Sequence, residues 1–127
     1  MNKILVVEDD KYLNSAYRVK LAKSGHEVQI ATDGDEALRI LNSFHPDVVL
    51  LDLVMPKRDG FSVLEEMKKN PALATIPVII ASNLGQKEDI GRGMKLGAID
   101  YIIKSDTPIE DIIAKIQKVI SSKQPAV

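Results

Sequence analysis

Three acids in a row, Glu8-Asp9-Asp10, close a short apolar run, Ile4-Leu5-Val6-Val7, and a fourth acid, Asp52, closes another, Val48-Val49-Leu50-Leu51. Two further runs end on different polar groups. Val78-Ile79-Ile80-Ala81 stops at Ser82-Asn83, and Ile99-Asp100-Tyr101-Ile102-Ile103 stops at Lys104-Ser105. If the runs are parallel strands, their polar ends share one edge of a sheet, where open α/β folds keep their sites. Carboxylates, a hydroxyl and an amine then converge on one small volume. Carboxylates that close together repel, so at neutral pH some must take up protons or share a cation. A hard cation such as Mg2+ suits this set, because it takes oxygen ligands and binds through one or two carboxylates together with phosphate oxygens. Asp9 or Asp10 could instead simply cap a first helix, but a cap leaves Asp52 at the neighbouring strand end unexplained.

The segments between these runs switch from continuous to helical spacing of apolar residues. Leu13, Ala16, Tyr17 and Leu21 fit a helix after Asp10, and Ala37, Leu38, Ile40, Leu41 and Phe44 fit a second after Asp33. Asp33 with Glu36 has the spacing of a capping box. Thr107-Pro108-Ile109-Glu110 is a stronger one, placing proline at the first helical position ahead of the stripe Ile109, Ile112, Ile113, Ile116, Ile120. Asp59-Gly60 opens a third helix through Phe61, Val63, Leu64 and Met67 to Asn70-Pro71. A fourth, Gln86 to Leu96, carries Gly91 and Gly93, each costing about 1 kcal/mol relative to alanine, and is expected to be the least stable of the five. His26-Glu27-Val28-Gln29-Ile30-Ala31 alternates, as an edge strand with one covered face does. Five strands alternating with five helices predict an α/β fold, a doubly wound parallel sheet with right-handed crossovers. The flavodoxin-like order 2-1-3-4-5 puts the alternating strand at the edge and strand one beside strand three. Glu8-Asp9 then lies next to Asp52.

A chain of 127 residues with 45% hydrophobic content is one domain able to bury its own core. The domain is expected over 1–122 with a tail or linker stub at 123–127, the residues from Ser121 onward reading as a frayed end. The absence of cysteine excludes a disulfide framework and cysteine–histidine metal sites. A formal net charge of -1 gives no global field toward nucleic acid or an anionic membrane, so neither is an expected partner. No segment approaches the roughly 18 to 20 apolar residues that span a bilayer. The first apolar run is also too short for a signal-peptide core, and a cytoplasmic location is expected. His26 and His45 lie away from every polar strand end and read as ordinary loop residues.

The acids after the first run, Leu50-Leu51-Asp52-Leu53-Val54-Met55-Pro56 with Asp59-Gly60, then Ser82, then Gly97-Ala98-Ile99-Asp100-Tyr101-Ile102-Ile103-Lys104, closely resemble the receiver domain of two-component response regulators. The resemblance, to single-domain chemotaxis-type members, covers essentially the whole chain. It implies that Asp52 accepts a phosphoryl group from a phosphohistidine on a sensor histidine kinase or histidine phosphotransfer protein. It further implies that Glu8, Asp9 and Asp52 hold Mg2+ with the backbone carbonyl of Val54. Lys104 and the Ser82 hydroxyl would neutralise and bind the phosphoryl oxygens, which agrees with the general chemistry of phosphoryl transfer. Ser82 and Tyr101 are implied as switch residues that remodel the face of helix four, strand five and helix five for a downstream protein target. The chain is then a monomer with phosphorylation-dependent dimerisation as an option, a signalling switch that catalyses its own phosphorylation and slow dephosphorylation.

Two positions depart from the pattern. The family usually has proline after the lysine, often following a cis peptide; this chain has Ser105, where a cis bond costs about 3 kcal/mol more. The residue after the hydroxyl is usually small and here is Asn83, which either narrows access to the site or adds a hydrogen bond. Val54 and Leu84, two positions beyond Asp52 and Ser82, cannot hydrogen-bond a hydrolytic water, which predicts a long-lived phosphorylated state. The alternative is a receiver-like adaptor that binds a protein partner constitutively without phosphorylation; the full set Glu8, Asp9, Asp52, Ser82 and Lys104 argues against it. A haloacid-dehalogenase-type phosphatase wants an aspartate at the position of Val54, and a flavin carrier wants a glycine- and hydroxyl-lined loop where this chain is acidic.

Overall fold

The structure is a computed structural model that describes residues 2–123. Strands β1 (Lys3–Val7), β2 (Glu27–Ala31), β3 (Val48–Leu51), β4 (Val78–Ser82) and β5 (Asp100–Ile103) form one sheet, and each neighbouring pair is parallel in the order β2-β1-β3-β4-β5. Helices α1 (Lys11–Lys23), α2 (Gly34–Leu41), α3 (Gly60–Lys69), α4 (Lys87–Lys95) and α5 (Ile109–Lys123) fill the crossovers, with a 3-10 turn at Lys104–Asp106 between β5 and α5. The class, the flavodoxin-like strand order and the five-and-five count agree with the sequence reading.

The continuous apolar runs exist because the sheet is covered on both sides, so both sets of alternate side chains are buried. Ile4, Val6, Val48, Leu50, Ile79, Ala81 and Ile102 pack with Tyr17 and Leu21 of α1 and Ile112, Ile116 and Ile120 of α5. The intervening residues Leu5, Val7, Val49, Leu51, Val78 and Ile80 pack on the other face with Ala37 and Leu41 of α2 and Val63, Leu64 and Met67 of α3. Each fully buried valine, leucine, isoleucine or methionine among them contributes roughly 1.5 to 3 kcal/mol. These two layers hold the strand ends rigidly where the polar residues begin. The register confirms the neighbours: Val7 pairs with Leu51, and Ser82 with Ile103.

Caps start the helices where the acids predicted them. The Asp10 carboxylate accepts the N–H groups of Tyr12 and Leu13 at 2.9 and 3.1 Å, and Asp59 accepts that of Ser62 at 2.9 Å. Asp33 accepts the N–H of Glu36 at 2.8 Å, but the Glu36 side chain closes its half of the box on Thr32 rather than on Asp33. α4 is the weakly anchored helix: Gln86 gives it no side-chain cap, and Gly93 is its one buried residue.

Several boundaries differ from expectation. β2 begins at Glu27 and β5 at Asp100; the His26 N–H turns back to the Leu21 carbonyl, whereas the Ile99 N–H already bonds the Val78 carbonyl of β4. α5 begins at Ile109, one residue after Pro108, whose carbonyl accepts from Asp111 and Ile112. Ser121 and Ser122, expected to fray, lie within α5, which runs through Lys123; the remaining tail, 124–127, lies outside the described residues. His26 is more than a loop residue: its Nε2 is 2.9 Å from the Gln117 side-chain oxygen, tying the α1–β2 turn to α5.

Candidate functional site

Asp52 leaves β3 with its N–H bonded to the Val7 carbonyl at 2.9 Å, and Glu8 leaves β1 with its N–H bonded to the Ala31 carbonyl at 2.9 Å. The ladder therefore sets both carboxylates before any side-chain contact forms. Gly60, at the start of α3, presses against this strand end. A Cβ there would fall 2.2 Å from the Asp52 carbonyl oxygen, so only glycine lets the helix approach so closely. The N–H of Leu53 donates to Asp52 Oδ1 at 2.8 Å, and the Val54 N–H reaches the same oxygen at 3.5 Å, which places the Val54 backbone beside the carboxylate.

Lys104, at the end of β5, crosses to both acids. Its Nζ donates to Glu8 Oε1 at 2.7 Å and to Asp52 Oδ2 at 3.3 Å. Glu8 and Asp52 are 3% and 5% exposed, so the ammonium and the two carboxylates sit together in a poorly hydrated pocket. Glu8 also accepts the N–H of Asp10 at 3.0 Å, and its carbonyl accepts from the Asn14 side chain at 2.7 Å. Burial first, and then the Asp52 charge, hold the Glu8 carboxyl above its ordinary value despite the opposing bond from Lys104. Burial pulls the Lys104 ammonium down, but the bond to Glu8 and the charge of Asp52 outweigh it and raise it overall.

Asp9 completes the acidic set from the exposed side. One carboxylate oxygen from each of Glu8, Asp9 and Asp52 lies within 4.8 Å of the others. An all-oxygen set of that size fits a hard divalent cation. Asp10, by contrast, turns away to cap α1.

Ser82 is fully buried at the end of β4, and its Oγ accepts the N–H of Leu84 at 3.2 Å. Tyr101 is half-buried on β5; its hydroxyl donates to the Leu84 carbonyl, and its ring lies against α4 at Gly93. Burial first, and then the Asp89 charge, push its phenol up. Every expected site residue, Glu8, Asp9, Asp52, Val54, Ser82, Tyr101 and Lys104, thus lies at the C-terminal edge of the sheet or on the strand that reaches it. The two departures meet there as well: Asn83 Oδ1 accepts the Ser105 N–H at 2.9 Å. Among the described residues no peptide bond is cis, so Lys104–Ser105 is trans.

Some of the residues that shape the site carry no obvious signal in the sequence. Asn14 is a buried polar residue inside a helix. Arg58 anchors the β3–α3 loop by donating to Asp35 at 3.0 Å and to Ser62 at 2.9 Å, and the preceding Lys57 takes a left-handed φ of 67°. A cleft of about 260 Å³ beside Lys104 is lined by Asp10, Tyr17, Asn83 and Ser105 among others. A larger one, about 450 Å³, lies between α2 and α3, and none of Glu8, Asp9 and Asp52 lines it.

An open parallel sheet with acids ending two adjacent inner strands and a lysine reaching them from the edge strand defines a receiver-type fold. Residues 4–117 match the response regulator receiver domain family, and the chain belongs to that family. It is 42% identical over 108 residues to a probable transcriptional regulator ycf27 of Cyanophora paradoxa, covering 85% of this chain and 44% of that protein. The chain spans about half the length of the curated relatives it matches. Among solved structures, it superposes on the phosphorylated cyanobacterial phytochrome response regulator RcpA with a TM-score of 0.86 at 35% identity, covering 98% and 96% of the two chains. It superposes on the Mn2+-bound form of the response regulator Rcp1 with a TM-score of 0.82 at 33% identity, covering 100% and 97%.

Proposed function

We propose that this chain is a phosphorelay switch in which Asp52 accepts a phosphoryl group from a phosphohistidine on a sensor kinase or phosphotransfer protein. The observation that carries this reading is the Lys104 ammonium held 3.3 Å from Asp52 and 2.7 Å from Glu8, in a pocket that excludes most water. An Asp52 oxygen attacks phosphorus, the new O–P bond forms as the P–N bond breaks, and the electron pair leaves on the imidazole nitrogen. Lys104 supplies a fixed positive charge to the transferring oxygens, which costs no reorganisation at the moment of reaction. Ser82 accepts a hydrogen bond from Leu84 and lies beside the Tyr101 hydroxyl, and its own proton can turn to a phosphoryl oxygen.

Glu8, Asp9, Asp52 and the Val54 carbonyl are the groups that would hold Mg2+. Such an ion offsets the charge that these acids and an incoming phosphoryl group bring together. That one of the similar structures is Mn2+-bound and another phosphorylated supports the reading. Tyr101 and Ser82 then serve as the switch pair, because both bond to Leu84 in the β4–α4 loop. Moving Ser82 toward Asp52 disturbs that loop, the weakly anchored α4, and the face that α4 shares with β5 and α5. This face is read as the docking surface for a downstream protein or a second phosphorylated copy, and the location as cytoplasmic. No helix among the described residues is long and apolar enough to cross a membrane. The test is incubation with acetyl phosphate and Mg2+ followed by intact mass. Gain of one phosphoryl group that a chelator abolishes is expected; no gain overturns the reading.

A further inference from the structure

Asn83 directly follows Ser82, and Ser105 directly follows Lys104, so the 2.9 Å hydrogen bond from the Ser105 N–H to Asn83 Oδ1 joins the backbones of two functional side chains. It connects the β4–α4 loop to the turn between β5 and α5. The donor exists only because residue 105 is not proline, which has no N–H to give. The Lys104–Ser105 peptide is trans, and Ser105 lies in the 3-10 turn Lys104–Asp106, too near its start for an acceptor within the turn, which leaves its N–H to a side chain. Asn83 and Ser105 also line the cleft in which Lys104 lies. The Tyr101 hydroxyl bonds the Leu84 carbonyl, so two successive residues of the β4–α4 loop are tied down, Leu84 to β5 and Asn83 to the turn that follows it.

We propose that Asn83 and the Ser105 backbone form a clasp that positions Lys104 and couples it to Ser82, so that both close on the Asp52 phosphoryl group as one unit. This rests on the phosphoacceptor reading of Asp52. Lys104 reaches Asp52 along a flexible four-carbon side chain, and its aim depends on how well its backbone is fixed. Ser82 is aimed by a loop whose following residue bears the clasp. With the bond intact, displacement of one carries the other; with it broken, each must be ordered separately during transfer. Loss of one such hydrogen bond is worth roughly threefold to tenfold in rate.

The experiment compares Asn83→Ala, Ser105→Pro, their combination and Ser105→Ala. Two readouts are used on the full chain: amide hydrogen exchange without phosphodonor, and the rate of mass gain with acetyl phosphate and Mg2+. Exchange at Ser105 is expected to rise about tenfold in Asn83→Ala while Leu53, whose N–H bonds Asp52, stays unchanged. Asn83→Ala and Ser105→Pro should each slow phosphorylation roughly threefold to tenfold, and the double variant no further than the slower single one. Ser105→Ala retains the donor and should track wild type. Unchanged exchange at Ser105, or additive effects in the double variant, overturns the clasp while leaving the phosphoacceptor reading standing. If wild type itself gains no phosphoryl group, the phosphoacceptor reading falls and the proposed role falls with it.

Discussion

Lys104 holds together two carboxylates that repulsion alone would separate, and the site's response to pH follows from that. The Glu8 carboxyl sits above its ordinary value of 4.5, so the folded protein binds this proton more tightly than the unfolded chain, and its contribution to stability falls as pH rises from there. The Lys104 ammonium is raised from 10.5, so its contribution is fully present below that value and is lost as pH rises through the higher folded one. Above its raised value the Glu8 carboxyl is charged, and a cation then relieves its repulsion with Asp52. The rise in melting temperature produced by millimolar Mg2+ should therefore grow as pH increases from about 4.5 toward neutrality. A rise that is flat across this range would place the metal elsewhere. Val54 would bear on the lifetime of the proposed phosphorylated state. The residue is 59% exposed at the mouth of the site, whereas Leu84 is half-buried and packs toward the core. Val54→Asn, able to orient a water, should speed hydrolysis about tenfold, and Leu84→Glu should do less; decay of the phosphorylated mass measures both, and equal decay in Val54→Asn and wild type removes shielding as the cause.

The fourth helix shows how two glycines in one element differ. A Cβ on Gly91 meets nothing within 4 Å, whereas one on Gly93 would come within 2.5 Å of Ile80 Cδ1 and 3.3 Å of the Tyr101 ring. Gly91→Ala should stabilise the protein by about 1 kcal/mol in a denaturant titration. Gly93→Ala should gain less or lose, because the Tyr101 ring or Ile80 must move; a gain equal to that of Gly91→Ala would show the contact to be slack. Strand ends, helix count and most caps were legible beforehand, because strands buried on both faces are continuous apolar runs that stop abruptly at polar residues. What periodicity cannot show is which side chains meet across loops. Asn83 with Ser105, Asn14 with the Glu8 carbonyl, His26 with Gln117 and Arg58 with Asp35 are each set by tertiary proximity. The same limit let the acidic cluster be foreseen but not the role of Gly93, which looked only like a weakness in its helix.

At the scale of the whole molecule, the sheet order places β1 and β3 side by side and lets β5 deliver Lys104 from the edge strand. On the proposed reading, metal affinity and phosphoryl transfer draw on the same few groups. Asp9 takes part in neither the Lys104 bridge nor the α1 cap, so Asp9→Ala should leave the fold intact and abolish most of the Mg2+-dependent rise in melting temperature; equal rises in variant and wild type would exclude Asp9 as a ligand. The central claim is that Asp52 is the phosphoacceptor. Its most direct test is intact mass after acetyl phosphate and Mg2+, wild type against Asp52→Asn, with unfolding curves showing both folded. Wild type should gain one phosphoryl group and Asp52→Asn none; comparable gains in the two proteins would contradict the account.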